Sequence, residues 1–143
     1  MNNENVIKEL NEFLRGIYIA IHGYERYIQH VEDQKIKDLL QQIQQDHKQH
    51  AIRIAERIQD LGGVPVEDGG MKGMMADWMM RMKGAADDPN FILKDAIRGE
   101  ENGIQMSEKL VRGDLDNQSL QIVKQVLERD RKHLQQLQQH IQP

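Results

Sequence analysis

Four stretches of this chain place apolar residues at alternating steps of four and three, and nothing comparable alternates with a period of two. The first runs from about Val6 to Val31 through Leu10, Leu14, Ile17, Ile21, Tyr24 and Ile28. The second runs from about Ile36 to Leu61 through Leu40, Ile43, His47, His50, Ile54 and Ile58. The third runs from about Phe91 to Val111 through Leu93, Ile97, Glu100 and Ile104. The fourth runs from about Leu120 to Ile141 through Val123, Val126, Asp130, His133 and Leu137. Steps of three and four keep side chains on one face of an α-helix. The pattern therefore predicts an all-α chain with helices over about 4–31, 34–61, 90–112 and 117–141.

The connections restrict how those helices pack. Around Glu32-Asp33-Gln34 there is room only for a tight turn, which makes the first two helices antiparallel neighbours. Gly113-Asp114-Leu115-Asp116-Asn117 offers a helix stop followed by an N-cap, so the last two helices pair in the same way. Residues 62–89 form a much longer link, opening with Gly62-Gly63-Val64-Pro65 and closing with Asp87-Asp88-Pro89. Two hairpins joined by one long crossover make an antiparallel four-helix bundle. A length of 143 residues suits a single domain spanning the whole chain.

Five polar residues interrupt the apolar stripes. His47 and His50 lie one turn apart on the second helix, Asp130 and His133 on the fourth, and Glu100 on the third. Each i, i+3 pair faces one way, so two ligands can grip one ion without bending the backbone. Folding each hairpin about its turn brings all five to similar depth. Buried carboxylates and imidazoles are costly unless something pairs with them. His47, His50, Glu100, Asp130 and His133 are thus candidate metal ligands, and a donor set without thiolate suits iron, manganese or zinc. Buried Asp130–His50 or Glu100–His133 pairs that fix helix register without metal satisfy the same pattern. The two hairpins also look related. At an offset of 83 without a gap, nine identities fall within a span of 49, including Leu10/Leu93, Gly16/Gly99 and His50/His133.

The four helices, the long crossover and the i, i+3 pairs on the second and fourth helices resemble the ferritin-like di-iron carboxylate superfamily. Leu10-Asn11, Gly23-Tyr24, Leu61-Gly62-Gly63 and Arg98-Gly99-Glu100 are similar to an uncharacterised bacterial branch of ferritin-like proteins. The superfamily uses one Glu from each of the first and third helices and Glu-x-x-His from each of the second and fourth. Carried over, Glu100 matches the third-helix carboxylate, and His50 and His133 match the two histidines. His47 and Asp130 stand where Glu is expected, and the first-helix carboxylate is replaced by Ile17. Two carboxylates and three histidines carry less negative charge than the superfamily's set and neutralise two metal ions poorly. One ion, two ions or an empty site are all compatible with these residues. The resemblance implies iron or manganese as cofactor, a small oxidant such as oxygen or peroxide as reactant, and a homodimer. A redox, oxidative-stress or iron-handling role follows from it. The alternative is a metal-free bundle with a decayed site, acting as a structural or interaction module.

Composition narrows the partners. A net charge of −4 gives no basic footprint, so no nucleic-acid partner is expected. The absence of cysteine excludes disulfides and thiolate sites and agrees with a cytoplasmic location. MNNENVIKEL has neither a basic nor an apolar leader region, and no stretch is apolar enough to span a membrane. In the crossover, Met71, Met74, Met75, Met79, Met80 and Met82 surround Trp78. Thioethers bind Cu(I), but no His or Cys there would anchor the ion, so copper, like zinc, ranks below iron and manganese. A short amphipathic helix packing on the bundle is the preferred reading. Among the tyrosines, Tyr18 is the one placed to approach the five candidate ligands.

Overall fold

A computed structural model of the chain describes residues 3–69, 72–85 and 88–143, with residues 72–75 described by their backbone alone. Five helices follow in order: α1 (Asn3–His30), α2 (Gln34–Asp60), α3 (Lys72–Gly84), α4 (Phe91–Val111) and α5 (Asn117–Gln139). No strand occurs among the described residues. α1 packs along α2 and α4 along α5, and the two hairpins meet through α1 with α4 and α2 with α5. This is the antiparallel bundle of two hairpins that the stripes and turn lengths imply.

Local chemistry sets the helix ends. Asp33 caps α2 by accepting from the Lys35 and Ile36 amides at 2.9 and 3.1 Å. Asp116 caps α5 through the Ser119 amide at 3.1 Å and also accepts from Arg57 at 2.8 Å, tying α5 to the end of α2. Burial works against the Asp116 carboxylate, but the bonds from Ser119 and Arg57 outweigh it and hold its pKa below the ordinary range. Its stabilising contribution is therefore full above that range and fades as the pH falls through it.

At the end of α2, Gly62 adopts φ +88°, and the Gly63 amide donates back to Ile58 at 2.9 Å. A Cβ on Gly63 would meet Ile7 Cγ2 at 2.7 Å, so the chain can turn this close to α1 only as glycine. Gly63→Ala is expected to cost about 1–3 kcal/mol through the forced displacement of Ile7. Urea denaturation followed by far-UV circular dichroism checks it.

The crossover then runs back along α1. The Asn11 side chain donates to Val64 O at 3.1 Å and accepts from the Val66 amide at 2.8 Å, and His22 pairs with Asp68 at 2.7 Å. α3 docks at the far end, where α1 finishes and α4 begins. Its anchor is Trp78, fully buried and in contact with Tyr27, His30 and Phe91 at ring separations of 6.0, 5.1 and 6.2 Å. Met82 is partly buried against the same cluster, whereas Met79 and Met80 face outward. Met71 and the side chains of Met74 and Met75 lie outside the described residues.

Two apolar clusters fill the bundle. One gathers Leu10, Phe13, Leu14, Ile17, Ala51, Ile54, Ile58, Val123 and Val126. The other gathers Tyr24, Tyr27, Leu40, Ile43, Trp78, Leu93, Ala96 and Leu137. Along α2 the switch from one to the other falls at His47 and His50, so the polar residues occupy the layer between two dry cores.

Candidate metal centre

The apolar periodicity that buries α2, α4 and α5 also buries whatever replaces leucine on their stripes. His47, Glu100, Asp130 and His133 are at most 4% exposed. One potential ligand atom from each lies within 4.8 Å of the others. His47 Nε2 donates to Glu100 Oε1 at 2.9 Å. His133 Nδ1 stands 3.5 Å from both Glu100 Oε1 and Asp130 Oδ1, and His47 Nδ1 lies 4.0 Å from Asp130 Oδ1. Four of the five candidate ligands thus converge on one point. His50 is buried beside them with its ring 6.1 Å from that of His47, and it is not part of that four-atom group.

The electrostatics divide these groups. Burial opposes the charge on Glu100, but the His133 and His47 imidazoles outweigh it and hold the carboxyl down to about 2. Burial would lower His133, yet the Asp130, Glu100 and Asp46 carboxylates lift it to about 10. Burial raises Asp130. For His50 the balance is reversed: burial, with His47 and His133 adding repulsion, outweighs the Asp46 charge, pushes it down to about 4 and leaves the ring neutral. Three buried polar atoms of this layer find no hydrogen-bond partner among the described residues: Asp130 Oδ1, His133 Nδ1 and His50 Nδ1. Buried orphan acceptors and donors are rare in a finished protein interior. Two of them, Asp130 Oδ1 and His133 Nδ1, belong to residues of the converging group, and a carboxylate and an imidazole left open there fit a hard or borderline cation.

Two further residues complete the cluster, and the stripes alone did not identify either. Tyr24 donates its hydroxyl to Glu100 Oε1 at 2.6 Å, and its ring lies 5.3 Å from that of His47. Burial first, then the Glu100 charge, keeps this phenol protonated far above its ordinary pKa. Tyr18, the tyrosine expected here, lies instead near Asp68, whose charge adds to burial in raising its pKa. The reason is reach: Tyr24 lies two turns beyond Ile17, and its phenol spans that gap. Asp46 accepts from His133 Nε2 at 2.7 Å and is itself 3.7 Å from Arg129. A carboxylate on the far nitrogen fixes the ring's tautomer and aims the other nitrogen into the cluster.

The repeat explains the asymmetry. At the same offset of 83, Glu100 corresponds to Ile17, His133 to His50, Asp130 to His47 and Arg129 to Asp46. The α4–α5 half has its own carboxylate, its own histidine and a carboxylate behind that histidine. On the other side stand Ile17 and His50, and the repeat-equivalent of Asp46 is a cation, Arg129 on α5. On the Ile17 side a pocket of about 280 Å³ opens between α1 and α4, walled by Gly16, Ile17, Gly99, Gly103 and Met106, with Asp130 at its floor.

Residues 5–113 match the family model described as a domain of unknown function, DUF2383. The chain belongs to this family. No curated protein matches it at a significant level. Its fold is similar to the ferritin-like part of a two-domain Anabaena variabilis protein that also contains a DJ-1/ThiJ/PfpI-like domain (TM-score 0.77, 19% identity). That match covers 96% of this chain and 36% of the Anabaena chain, so the chain spans about a third of that relative. A dodecameric thioferritin, the bacterioferritin-related protein of Bacteroides fragilis, aligns with TM-score 0.75 at 20% identity over 97% of this chain and 85% of its own. A ferritin-like, diiron-carboxylate protein of Bacillus anthracis aligns with TM-score 0.73 at 21% identity over 99% and 100%. At these identities the likeness establishes the ferritin-like fold and nothing finer. Among the described residues no helix is long and apolar enough to cross a membrane.

Proposed function

We propose that this protein binds one divalent metal ion, iron before manganese, in the polar layer between α2, α4 and α5, with His47, Glu100, Asp130 and His133 as its ligands. The observation that carries this reading is the convergence of those four buried side chains, with Asp130 Oδ1 and His133 Nδ1 unpaired. Charge supports a single ion. Two carboxylates and two neutral imidazoles balance one 2+ charge, whereas a second ion in the same dry layer would be uncompensated. Chemistry supports iron and manganese, because carboxylate and imidazole are their usual protein ligands. The diiron-carboxylate relative from Bacillus anthracis supports iron in particular.

Within this reading each residue has a separate task. Asp46 holds His133 in one tautomer, and Tyr24 orients Glu100 by donating to one of its oxygens. The apolar clusters above and below exclude water, which strengthens every charge interaction in the layer. His50, neutral and lacking a carboxylate behind it, stays outside the ligand set. A bound ion would supply Lewis acidity and, as iron, one-electron redox chemistry toward a small oxidant such as oxygen or peroxide. The pocket beside Ile17 supports access for such a molecule, since it is apolar and ends at Asp130. Self-association belongs to the same reading and is supported by the dodecameric assembly of the Bacteroides fragilis relative.

The alternative of a metal-free polar layer draws on the bonds already made by Glu100, which accepts from both Tyr24 and His47. Anaerobic Fe(II) titration followed by calorimetry separates the two. Free metal at one hundred times its dissociation constant should add about 2.7 kcal/mol to the folded state. For a chain of this size that raises the melting temperature by about 10 °C. An unchanged melting temperature at saturating Fe(II) and Mn(II) would contradict the metal reading.

A further inference from the structure

Arg26 is 6% exposed, yet among the described residues its guanidinium enters no ion pair and donates no hydrogen bond, and its Nε is buried without a partner. Its recorded neighbour is the face of Trp78, 5.8 Å from the ring centre. A guanidinium is a permanent cation with five donors. Cation–π attraction offsets only a fraction of what it costs to bury that charge unpaired. The acidic residue that could answer it, Asp95, is already engaged. Asp95 accepts from Tyr27 at 2.6 Å and from Arg81, and Arg98 stands 4.0 Å away.

Arg26, Arg81 and Arg98 line one pocket of about 200 Å³ between α1 and α4. Gly23 and Gly99 leave its walls without side chains, and Asn102 adds an amide at its edge. The carboxylates in it, Asp95 and Glu100, are both held by other partners. The balance of charge facing the cavity is positive, and its deepest cation is the one without a counter-charge. That arrangement suits a small oxyanion: a buried fork for two of its oxygens, with the exposed Arg98 at the mouth and Arg81 already paired with Asp95.

We propose that this pocket is an anion site, binding a phosphate-like oxyanion or a small carboxylate on Arg26. The site does not depend on the metal reading, because none of its arginines is among the proposed metal ligands. It also adjoins the metal centre, since Tyr24 and Glu100 form part of its wall.

The test uses the metal-free full chain. Melting temperature is followed by calorimetry in chloride, with inorganic phosphate or acetate replacing chloride at constant ionic strength. Phosphate should raise the melting temperature of the wild type in a saturable way, and titration calorimetry should give one site per chain. An acetate response alone would assign the pocket to carboxylates; a response to phosphate alone would assign it to tetrahedral anions. Arg26→Met keeps the apolar stem against Trp78 and removes the charge. It should melt higher than the wild type in chloride and lose the anion response. Should Arg26→Met fail to fold, Arg98→Gln at the exposed mouth should fold normally and show weakened phosphate binding. The proposal is overturned if neither anion raises the wild-type melting temperature. It is equally overturned if Arg26→Met melts lower in chloride and keeps the wild-type response, which would make Arg26 a packing partner of Trp78. None of these readings depends on whether the chain takes up metal.

Discussion

Glu100→Ala is expected to abolish metal binding and to destabilise the metal-free protein by about 3–5 kcal/mol. The carboxylate is the hub of the buried layer: Tyr24 and His47 donate to it, and His133 lies 3.5 Å from it. Removing it leaves a phenol and two imidazoles facing a gap, with His133 stripped of one of the charges that keep it protonated. Each orphaned group costs part of its desolvation, since only the pocket beside Tyr24 and Glu100 could bring water to replace the lost partner. Glu100→Gln separates the two effects. The amide oxygen still accepts from Tyr24 and His47, so most of the stability should return. Metal binding should not, because a neutral amide removes one of the two negative charges that balance the ion. Chemical denaturation gives the first quantity, and metal analysis after loading gives the second.

Trp78→Ala should cost about 3–5 kcal/mol, the range for deleting a fully buried large aromatic side chain. Trp78 is the residue through which α3 holds the bundle, touching Tyr27 and His30 at the end of α1 and Phe91 at the start of α4. Met79 and Met80 point away from the bundle, so little else on that turn replaces it. The loss should appear first as detachment of α3, read as faster proteolysis of the crossover at temperatures where far-UV circular dichroism still reports a folded bundle. As the sole tryptophan of the chain, Trp78 also makes wild-type fluorescence a reporter of that docking.

How much of this was legible in the sequence depended on how far each feature followed from periodicity. The four long helices were readable because a face that buries leucine and isoleucine must repeat every three or four residues. The antiparallel pairing was readable because the turns are too short for anything else. His47, Glu100, Asp130 and His133 stood out by the same logic, as polar residues on apolar stripes. His50 obeyed that logic too, and periodicity could not tell it from the others. What separates it is the cross-helix partner: Asp46 faces His133, while the repeat puts Arg129 where His50 would need a carboxylate.

The features that stayed hidden reach sideways from their helices. Asp46 is partly exposed and off the stripe, so pattern alone gave it no role. Tyr24 lay on the stripe but looked like packing, because its contact depends on the length of a phenol rather than on helical register. Arg26 lies between the two buried tyrosines Tyr24 and Tyr27. That was the one signal that it would be carried inward, and a charged residue is ordinarily read as surface. The crossover helix α3 has no clean apolar period, so the sequence indicated a short packing helix without fixing which side chain anchors it.

One ion held by four residues is a stoichiometry, and counting metal per chain tests it most directly. Protein purified without chelators should be loaded anaerobically with Fe(II), desalted, and assayed by mass spectrometry beside Glu100→Gln and His50→Ala. One iron per chain, absent in Glu100→Gln and retained in His50→Ala, is the predicted result. Two irons per chain, no iron at all, or a loss in His50→Ala equal to that in Glu100→Gln would contradict it.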